Sequence, residues 1–560
     1  MRIQLQAAIE AALSLRGWEA PGEIVIEASK QREHGDFACS IALQLTKALG
    51  RSPRDIAAEL ILDLNAQEVP FLATCEIAGP GFINFRLQPE WFTSVIPTIL
   101  DAPGTFGHSE TLAGEQINLE FVSANPTGPL HAGGGRWVAV GDALANLLAT
   151  QGASVEREYY LNDAGTQLAL FAASLFARLH GEPLPDDGYA GEYLIDMAEA
   201  ARAEGLSEVD QATLGEWGYH RVVDSLRDDL SRIGVEFDTW FSERVLHERG
   251  DVHAVIEDLR ERGVLEEREG ATWLRTTEFG DTRDRVLIRS DGTTTYLCND
   301  LAYHRDKFRR GATHCIDIWG ADHHGQIASV QAGLRALGVW GEPNTPQSAE
   351  PEIILGQFVK LMRDGQEVRI SKRAGNVITL ADILDEVDPD VARLTFLLQS
   401  IDTAQTFDLA IVTEQSMENP VYYVQYAHAR MASIERKARE VGYSPPPLPA
   451  VDLNALTGER EMELLRVLHE YPEVLAIAAE RRAPHRVTTW VRECASRFHG
   501  FYADCRVVDE TQPELSAARY WLVAATRSAI ANALGVLGVS APDRMDHIHD
   551  GESPEIEDAP

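Results

Sequence analysis

The sequence predicts an α/β protein: a parallel-sheet core with a small α+β domain before it and an all-α bundle after it. Three observations carry this prediction. Strand-like and helical periods alternate between residues 116 and 356, the order of βαβ units and a parallel sheet. Residues 1–110 mix the two periods on a smaller scale, and beyond residue 418 only helical periodicity remains.

In the N-terminal domain (1–110), residues 4–15 carry helical periodicity, 23–27 read as a strand and 39–48 as a helix. Ser52-Pro53 reads as an N-cap with proline at the first helical position, and 76–87 alternate around Gly79-Pro80-Gly81. The second domain (111–385) opens with a βαβ unit. Its strands are 116–122 and 154–161; its helix, 136–150, carries Val138, Leu144, Leu147 and Leu148 on one face and is ended by Gly152. An acidic helical insertion is expected at about 166–265. Strands resume at 271–275 and in a hairpin, 285–289 with 293–298, turned by Asp291-Gly292. A helix (300–309), a strand (314–319), a helix (322–337) and a strand (352–356) follow. A second hairpin, 358–362 with 367–370, leads into the polar loop 371–376, and Thr379 with Asp382 forms a capping box. The third domain (386–545) reads as a bundle with long helices at 419–441, 459–480, 484–502 and 514–537. The tail, 546–560, holds six acids and no Lys or Arg, a composition expected to be disordered.

Composition narrows the function classes. With 560 residues and 44% hydrophobic content, several cores are expected. No run of about 18 apolar residues exists, so no membrane association is expected. The N-terminus lacks the apolar segment and cleavage site of a signal peptide, so a cytoplasmic protein is expected. Cys39, Cys75, Cys298, Cys315, Cys494 and Cys505 include no C-x-x-C pair, so neither a zinc site nor a disulfide framework is expected. The net charge of −37 is the reverse of what an electrostatically driven nucleic-acid binder carries. A local field acts within about 10 Å, however, and two basic clusters are present: Arg430, Arg436, Lys437 and Arg439, then Arg481, Arg482, His485 and Arg486. Solvated helix faces explain either cluster equally well.

The stretch from Glu120 to Gly135 joins the first strand of the core to its first helix and holds one imidazole, His131, and three glycines, Gly133, Gly134 and Gly135. Ligands of open α/β sheets sit beyond the carboxyl ends of strands, where helix N-termini offer donors to anions, so a nucleotide phosphate is the expected guest. The pattern matches neither G-x-x-x-x-G-K-[ST] nor G-x-G-x-x-G. Lysine occurs only at 30, 47, 307, 360, 372 and 437, against fifty basic residues in all. Lys372, in a glycine-containing polar loop, therefore stands out as a compact point charge suited to a phosphate. An ordinary exposed lysine is the plainer alternative.

A His-x-Gly turn, a long insertion, a basic Ser-Lys loop and a helical bundle occur here in the order of a class I aminoacyl-tRNA synthetase. His131-Ala132-Gly133-Gly134 resembles that family's HIGH motif and Arg369-Ile370-Ser371-Lys372 its KMSK motif. Within the class, the chain is most similar to arginyl-tRNA synthetases over nearly its whole length. His34-Gly35-Asp36-Phe37-Ala38 resembles their N-terminal domain, Trp319-Gly320-Ala321-Asp322-His323-His324-Gly325 their catalytic domain, and the segments 419–430 and 540–545 their anticodon-binding bundle. The resemblance implies a Rossmann-type catalytic core, ATP-dependent activation of L-arginine to arginyl-adenylate, and transfer to the 3′ end of tRNA(Arg), with Mg²⁺ accompanying ATP. Such enzymes generally need the tRNA present for activation.

By the same resemblance, His131, Lys372 and Arg369 are catalytic, and His131, Gly133, Gly134 and Lys372 bind ATP. Glu120, Asn125, Tyr296, Asp300 and Gln326 bind arginine; Tyr422, Tyr426, Arg430 and Met545 contact tRNA, with Tyr423 and Trp490 as further stacking candidates and an N-terminal domain that touches the tRNA's outer corner. No metal-ligating residue is expected, and the protein is expected to act as a monomer. Gly134 departs from the family pattern, which has a second histidine there. His323, His324 or a backbone N–H of the glycine turn is the expected substitute. The same departure motivates the alternative of a catalytically impaired, regulatory relative that binds tRNA or arginine.

Overall fold

The computed structural model describes residues 1–29, 32–339, 351–363, 366–368, 378–414 and 419–545. Arg369, Lys372 and the rest of the Ser-Lys loop lie outside the described residues, as does the acidic tail. The chain divides into two compact units: Met1–Asp101 with Val441–His469 and Phe501–Ala525, and Ala102–Glu440 with Glu470–Gly500 and Thr526–Pro560. This division by compactness differs from the one drawn from sequence patterning.

In the first unit the helices Arg2–Arg16, Ile41–Leu49 and Pro53–Ala66 accompany a four-stranded antiparallel sheet. A hairpin at one edge pairs Leu72–Ala78 with Phe82–Leu87 across the Gly-Pro-Gly turn. Pro53 occupies the first helical position that its missing N–H suits.

The second unit is built on a five-stranded parallel sheet. Its elements are β1 (Gln116–Glu120), α1 (Gly135–Ala149), β2 (Ser154–Leu161), β3 (Thr239–Ser242), α2 (Tyr296–Arg309), β4 (His314–Gly320), α3 (His324–Leu337) and β5 (Glu352–Gly356). The strand order is β5-β4-β1-β2-β3, and every pairing is parallel. Chain order runs outward from β1 in both directions, so the topological switch lies between β1 and β4, where open sheets of this order bind ligands. Ile117, Asn118, Leu119 and Glu120 are all buried, as expected of a strand covered on both faces.

Gly141 shows why α1 has its composition. A Cβ there would lie 2.2 Å from the Phe121 ring, so the helix rides directly on the residue after Glu120. Gly141→Ala is expected to cost about 2–3 kcal/mol in urea unfolding, because the overlap is with a fully buried ring that cannot yield.

Two sequence expectations are corrected here. Residues 239–242 were expected inside a helical insertion, but β3 pairs Thr239–Ser242 with Glu158–Leu161 and returns the chain to the main sheet. The second arm of the first hairpin, 293–298, is not a strand. One bridge joins Ile288 to Thr294, Thr295 turns extended as the N-cap, and α2 begins at Tyr296, because Cys298, Leu301 and Ala302 bury at helical spacing. The bundle helices run Pro420–Glu440, Glu459–Glu480, His485–Asp504 and Pro513–Val536, close to their expected bounds. All six cysteines are free.

Candidate active site

The carboxyl ends of β1, β2 and β4 set three acids side by side. In the ladder, Glu120 of β1 stands opposite Glu158 of β2 and Asp317 of β4, and all three are buried. Carboxylates this close in a low dielectric stay ionised only where cations meet them. Helix α2 brings those cations on one face. Lys307 Nζ lies 2.7 Å from Glu120 Oε2 and 2.6 Å from Asp317 Oδ1, and Arg310 reaches Glu158 Oε2 at 2.6 Å. The Tyr303 hydroxyl donates to Glu158 Oε1 at 2.5 Å.

His304 completes the layer. Its Nε2 is 2.7 Å from Asp317 Oδ2 and its Nδ1 is 2.8 Å from the Asp300 carbonyl oxygen, so both ring nitrogens face acceptors and the ring is an imidazolium. Burial works against that charge, but Asp317 holds the His304 pKa above its ordinary value. Burial also works against Asp317, yet Lys307 and His304 keep its carboxyl well below the usual range. At Glu158 burial outweighs its cations, and the carboxyl rises.

Asp300 opens the second turn of α2, four residues after the exposed Tyr296 and therefore on the same helix face. Burial, reinforced by the charges of Glu120, Glu243 and Asp317 and opposed by His304, pushes the Asp300 carboxyl up to about 7. Glu243 is a further buried acid; it accepts from Asn299 Nδ2 at 2.6 Å, and burial raises its pKa. The site is thus an acidic floor with an unsettled proton at its rim, suited to a cation. Asn125 is exposed on the loop after β1, whose backbone is braced by the Tyr193 hydroxyl donating to the Thr127 carbonyl at 2.6 Å. Gln326 is exposed on the first turn of α3.

The glycine turn departs from the expected phosphate cradle. Gly133 N–H donates to His131 Nδ1 at 2.8 Å, Gly134 N–H to the His131 carbonyl at 2.7 Å, Ala132 N–H to the Ile378 carbonyl at 3.0 Å, and Gly135 N–H to Ala132. These donors are spent within the protein, so the backbone N–H groups of the turn do not stand in for a second histidine. The glycines answer to packing instead. A Cβ on Gly134 would meet Leu130 Cδ1 at 2.9 Å, and one on Gly135 would meet the Phe396 ring at 2.8 Å. Gly134→His therefore has to displace buried Leu130. It is expected to lower adenylate formation and to cost about 1–3 kcal/mol of stability, measured by single-turnover kinetics and urea unfolding.

His131 is placed to act through its side chain. Because Nδ1 accepts from Gly133, the neutral ring carries its proton on Nε2, making that nitrogen the donor. A β-bridge joins His131 to Thr379, and Leu380 N–H donates to the Leu130 carbonyl at 2.8 Å. Thr379 caps the helix Leu380–Glu386 through a capping box, so the chain just downstream of Lys372 is fixed against the His131 turn. His323 and His324 are exposed at the end of β4, on the same edge of the sheet.

In the bundle, Tyr422 and Trp490 belong to the core and do not meet splayed bases: both are buried, Trp490 against Tyr471 at 4.3 Å between ring centroids. Tyr422 stacks on Tyr426 at 5.8 Å, the stripe their four-residue spacing forms. Tyr426 is half-buried; the Arg430 guanidinium lies 4.5 Å over its ring and donates to its hydroxyl. Met545 is half-buried at the end of the described chain. Of the basic clusters, Arg482 is tied to Glu352 at 3.0 Å and Arg436 donates to the Asp543 carbonyl at 2.9 Å.

Comparison with known proteins decides the family. The arginyl tRNA synthetase N terminal domain matches residues 3–87, the class I (R) tRNA synthetase catalytic domain residues 96–184 and 204–400, and the DALR anticodon binding domain residues 424–545. The chain belongs to the arginyl-tRNA synthetase family. It is 45% identical over 555 residues to the arginine–tRNA ligase of Kineococcus radiotolerans, covering 97% of this chain and 98% of that protein. Among solved structures, a candidate arginyl-tRNA synthetase from Campylobacter jejuni is 34% identical with a TM-score of 0.73, covering 82% of this chain and 100% of that one. The Thermus thermophilus arginyl-tRNA synthetase, 20% identical with a TM-score of 0.73 over 97% of this chain and 100% of its own, shares the fold.

Lys307, Glu158, Asp317 and Glu243 escaped the sequence reading. For Lys307 a signal existed: it is one of only six lysines, the rarity that helped to single out Lys372.

Proposed function

We propose that the chain is an arginine–tRNA ligase that uses ATP to form arginyl-adenylate and then charges tRNA(Arg). The observation that carries this reading is the buried acid row at the switch point, on the strand that leads into the His131 turn, in a chain of this family. The catalytically impaired alternative has no comparable support, since the full-length likeness is to a ligase.

In the first step the arginine carboxylate attacks the α-phosphorus of ATP, the bond to the β-phosphate oxygen breaks, and pyrophosphate leaves. Catalysis is then chiefly alignment and stabilisation of developing charge. His131 Nε2–H donates to the phosphates, and Lys372 with Arg369 neutralises the departing pyrophosphate. Gly133 and Gly134 shape the turn so that His131 can do this. Asp300 and Glu120 receive the guanidinium, with Tyr296 along the side chain and Asn125 and Gln326 near the amino-acid backbone. In the second step a hydroxyl of the terminal ribose attacks the adenylate carbonyl and AMP leaves. Tyr426, Arg430 and Met545 face the tRNA.

Magnesium accompanying ATP would supply positive charge at the triphosphate.

The test is charging of arginine tRNA with arginine against citrulline, its uncharged isostere. The acid floor predicts rejection of citrulline by about 10³-fold or more in kcat/KM, because the ionised Asp300 and the remaining lone pairs of Glu120 would meet no guanidinium. Comparable use of both would remove the acids from the specificity argument.

A further inference from the structure

Glu120 is not a free carboxylate awaiting a substrate; the protein grips both of its oxygens. Oε2 accepts from Lys307 at 2.7 Å, and Oε1 accepts from the Ser123 hydroxyl at 2.9 Å. The Ser123 Oγ in turn accepts from Tyr160 N–H at 3.1 Å. That hydroxyl is brought back over Glu120 by an unusual turn: Val122 has φ 69° and Ser123 φ 38°, left-handed values that a β-branched valine rarely adopts. Strained backbone persists where its surroundings over-determine it, and here the strain places one oxygen atom against one carboxylate.

Lys307 is fully buried, its Nζ also 2.6 Å from Asp317 and 4.4 Å from the centre of the Tyr303 ring. From Asp317 the bonds continue to His304 and on to the Asp300 carbonyl. One chain, Ser123–Glu120–Lys307–Asp317–His304, thus ties the Glu120 carboxylate to the backbone of Asp300, the other residue assigned to the guanidinium. Each oxygen of a carboxylate has two lone-pair directions, so one protein donor per oxygen leaves one direction on each for a bidentate partner.

We propose that Lys307 and Ser123 are positioning residues for substrate selection: they fix the Glu120 carboxylate in one orientation so that its remaining lone pairs match the planar fork of a guanidinium. A plainer role, neutralising buried acids, accounts for Lys307 alone but not for a strained turn that delivers a hydroxyl. The inference rests on the reading that Glu120 contacts arginine, and the experiment separates the two.

Aminoacylation is measured for Ser123→Ala, which removes only the hydroxyl; Ser123→Gly, which also suits the left-handed backbone; Lys307→Met; and Glu120→Gln. The arginine KM of both Ser123 variants is expected to rise by about tenfold or more, with the ATP KM within about twofold of wild type and the melting curve of Ser123→Gly unchanged. Lys307→Met is expected to raise the arginine KM further; should it not fold, the Ser123 pair decides. If Glu120→Gln raises the arginine KM while neither Ser123 variant does, the positioning proposal is overturned and the Glu120 assignment stands. If Glu120→Gln leaves the arginine KM unchanged, the assignment itself fails. A rise in both KM values together with lost stability in Ser123→Gly would mark a structural role and also overturn the proposal.

Discussion

Replacing His131 by alanine is expected to slow adenylate formation by about 10²–10³-fold, the usual effect of deleting one donor aimed at a developing charge. The side chain also has a structural duty, since its Nδ1 caps the glycine turn by accepting from Gly133 N–H. His131→Ala should therefore also lose about 1 kcal/mol of stability. His131→Asn separates the duties. Asparagine is a good cap and should recover the stability, but its amide does not reproduce the reach of Nε2–H, so the rate should stay low. Single-turnover adenylate formation and urea unfolding on the two variants check this. A His131→Asn variant with wild-type rate would show that the imidazole matters only as a cap.

Asp300→Asn is expected to raise the arginine KM by on the order of 100-fold, leaving the ATP KM nearly unchanged, because a guanidinium loses one of its buried charged partners. The wild-type site adds a pH dependence with a definite sign. With its carboxyl pushed up to about 7, Asp300 is largely protonated at pH 6 in the ligand-free site and must release that proton to accept a cation. Arginine affinity should thus rise with pH and level off above 7, weakening by about tenfold from pH 8 to pH 6. Asp300→Asn should flatten this limb. A limb that survives the substitution would assign the titration to another group.

Much of this was legible in the sequence where one physical signal dominated. The βαβ unit from Gln116 to Leu161 and the helices of the bundle follow from long, regular hydrophobic periods. Strand β3 did not, because Thr239–Ser242 is too short to display alternation and is a strand only by virtue of pairing with β2. The start of α2 was misread because Thr293-Thr294-Thr295-Tyr296 has strand propensity, while burial of Cys298, Leu301 and Ala302 sets the helix.

The site shows the same limit. His131, Glu120 and Asp300 were accessible through family resemblance, and the structure links Glu120 through Lys307, Asp317 and His304 to the Asp300 carbonyl. That network's other members could not be read from spacing, since Glu120, Glu158 and Asp317 meet only through strand register. Gly134 was equally opaque: the space a side chain would need is filled by Leu130, and its N–H is already bonded. With the N–H groups of the turn bonded within the protein, His323 and His324, exposed at the sheet's edge, are the substitutes we propose for the second histidine.

The central claim is that the acid floor selects arginine for activation by ATP. Its most direct test is ATP–pyrophosphate exchange with each amino acid in turn, with and without arginine tRNA. The account predicts exchange with arginine when the tRNA is present and none with the other amino acids; silence with arginine plus arginine tRNA, or equal exchange with an uncharged amino acid, would contradict it.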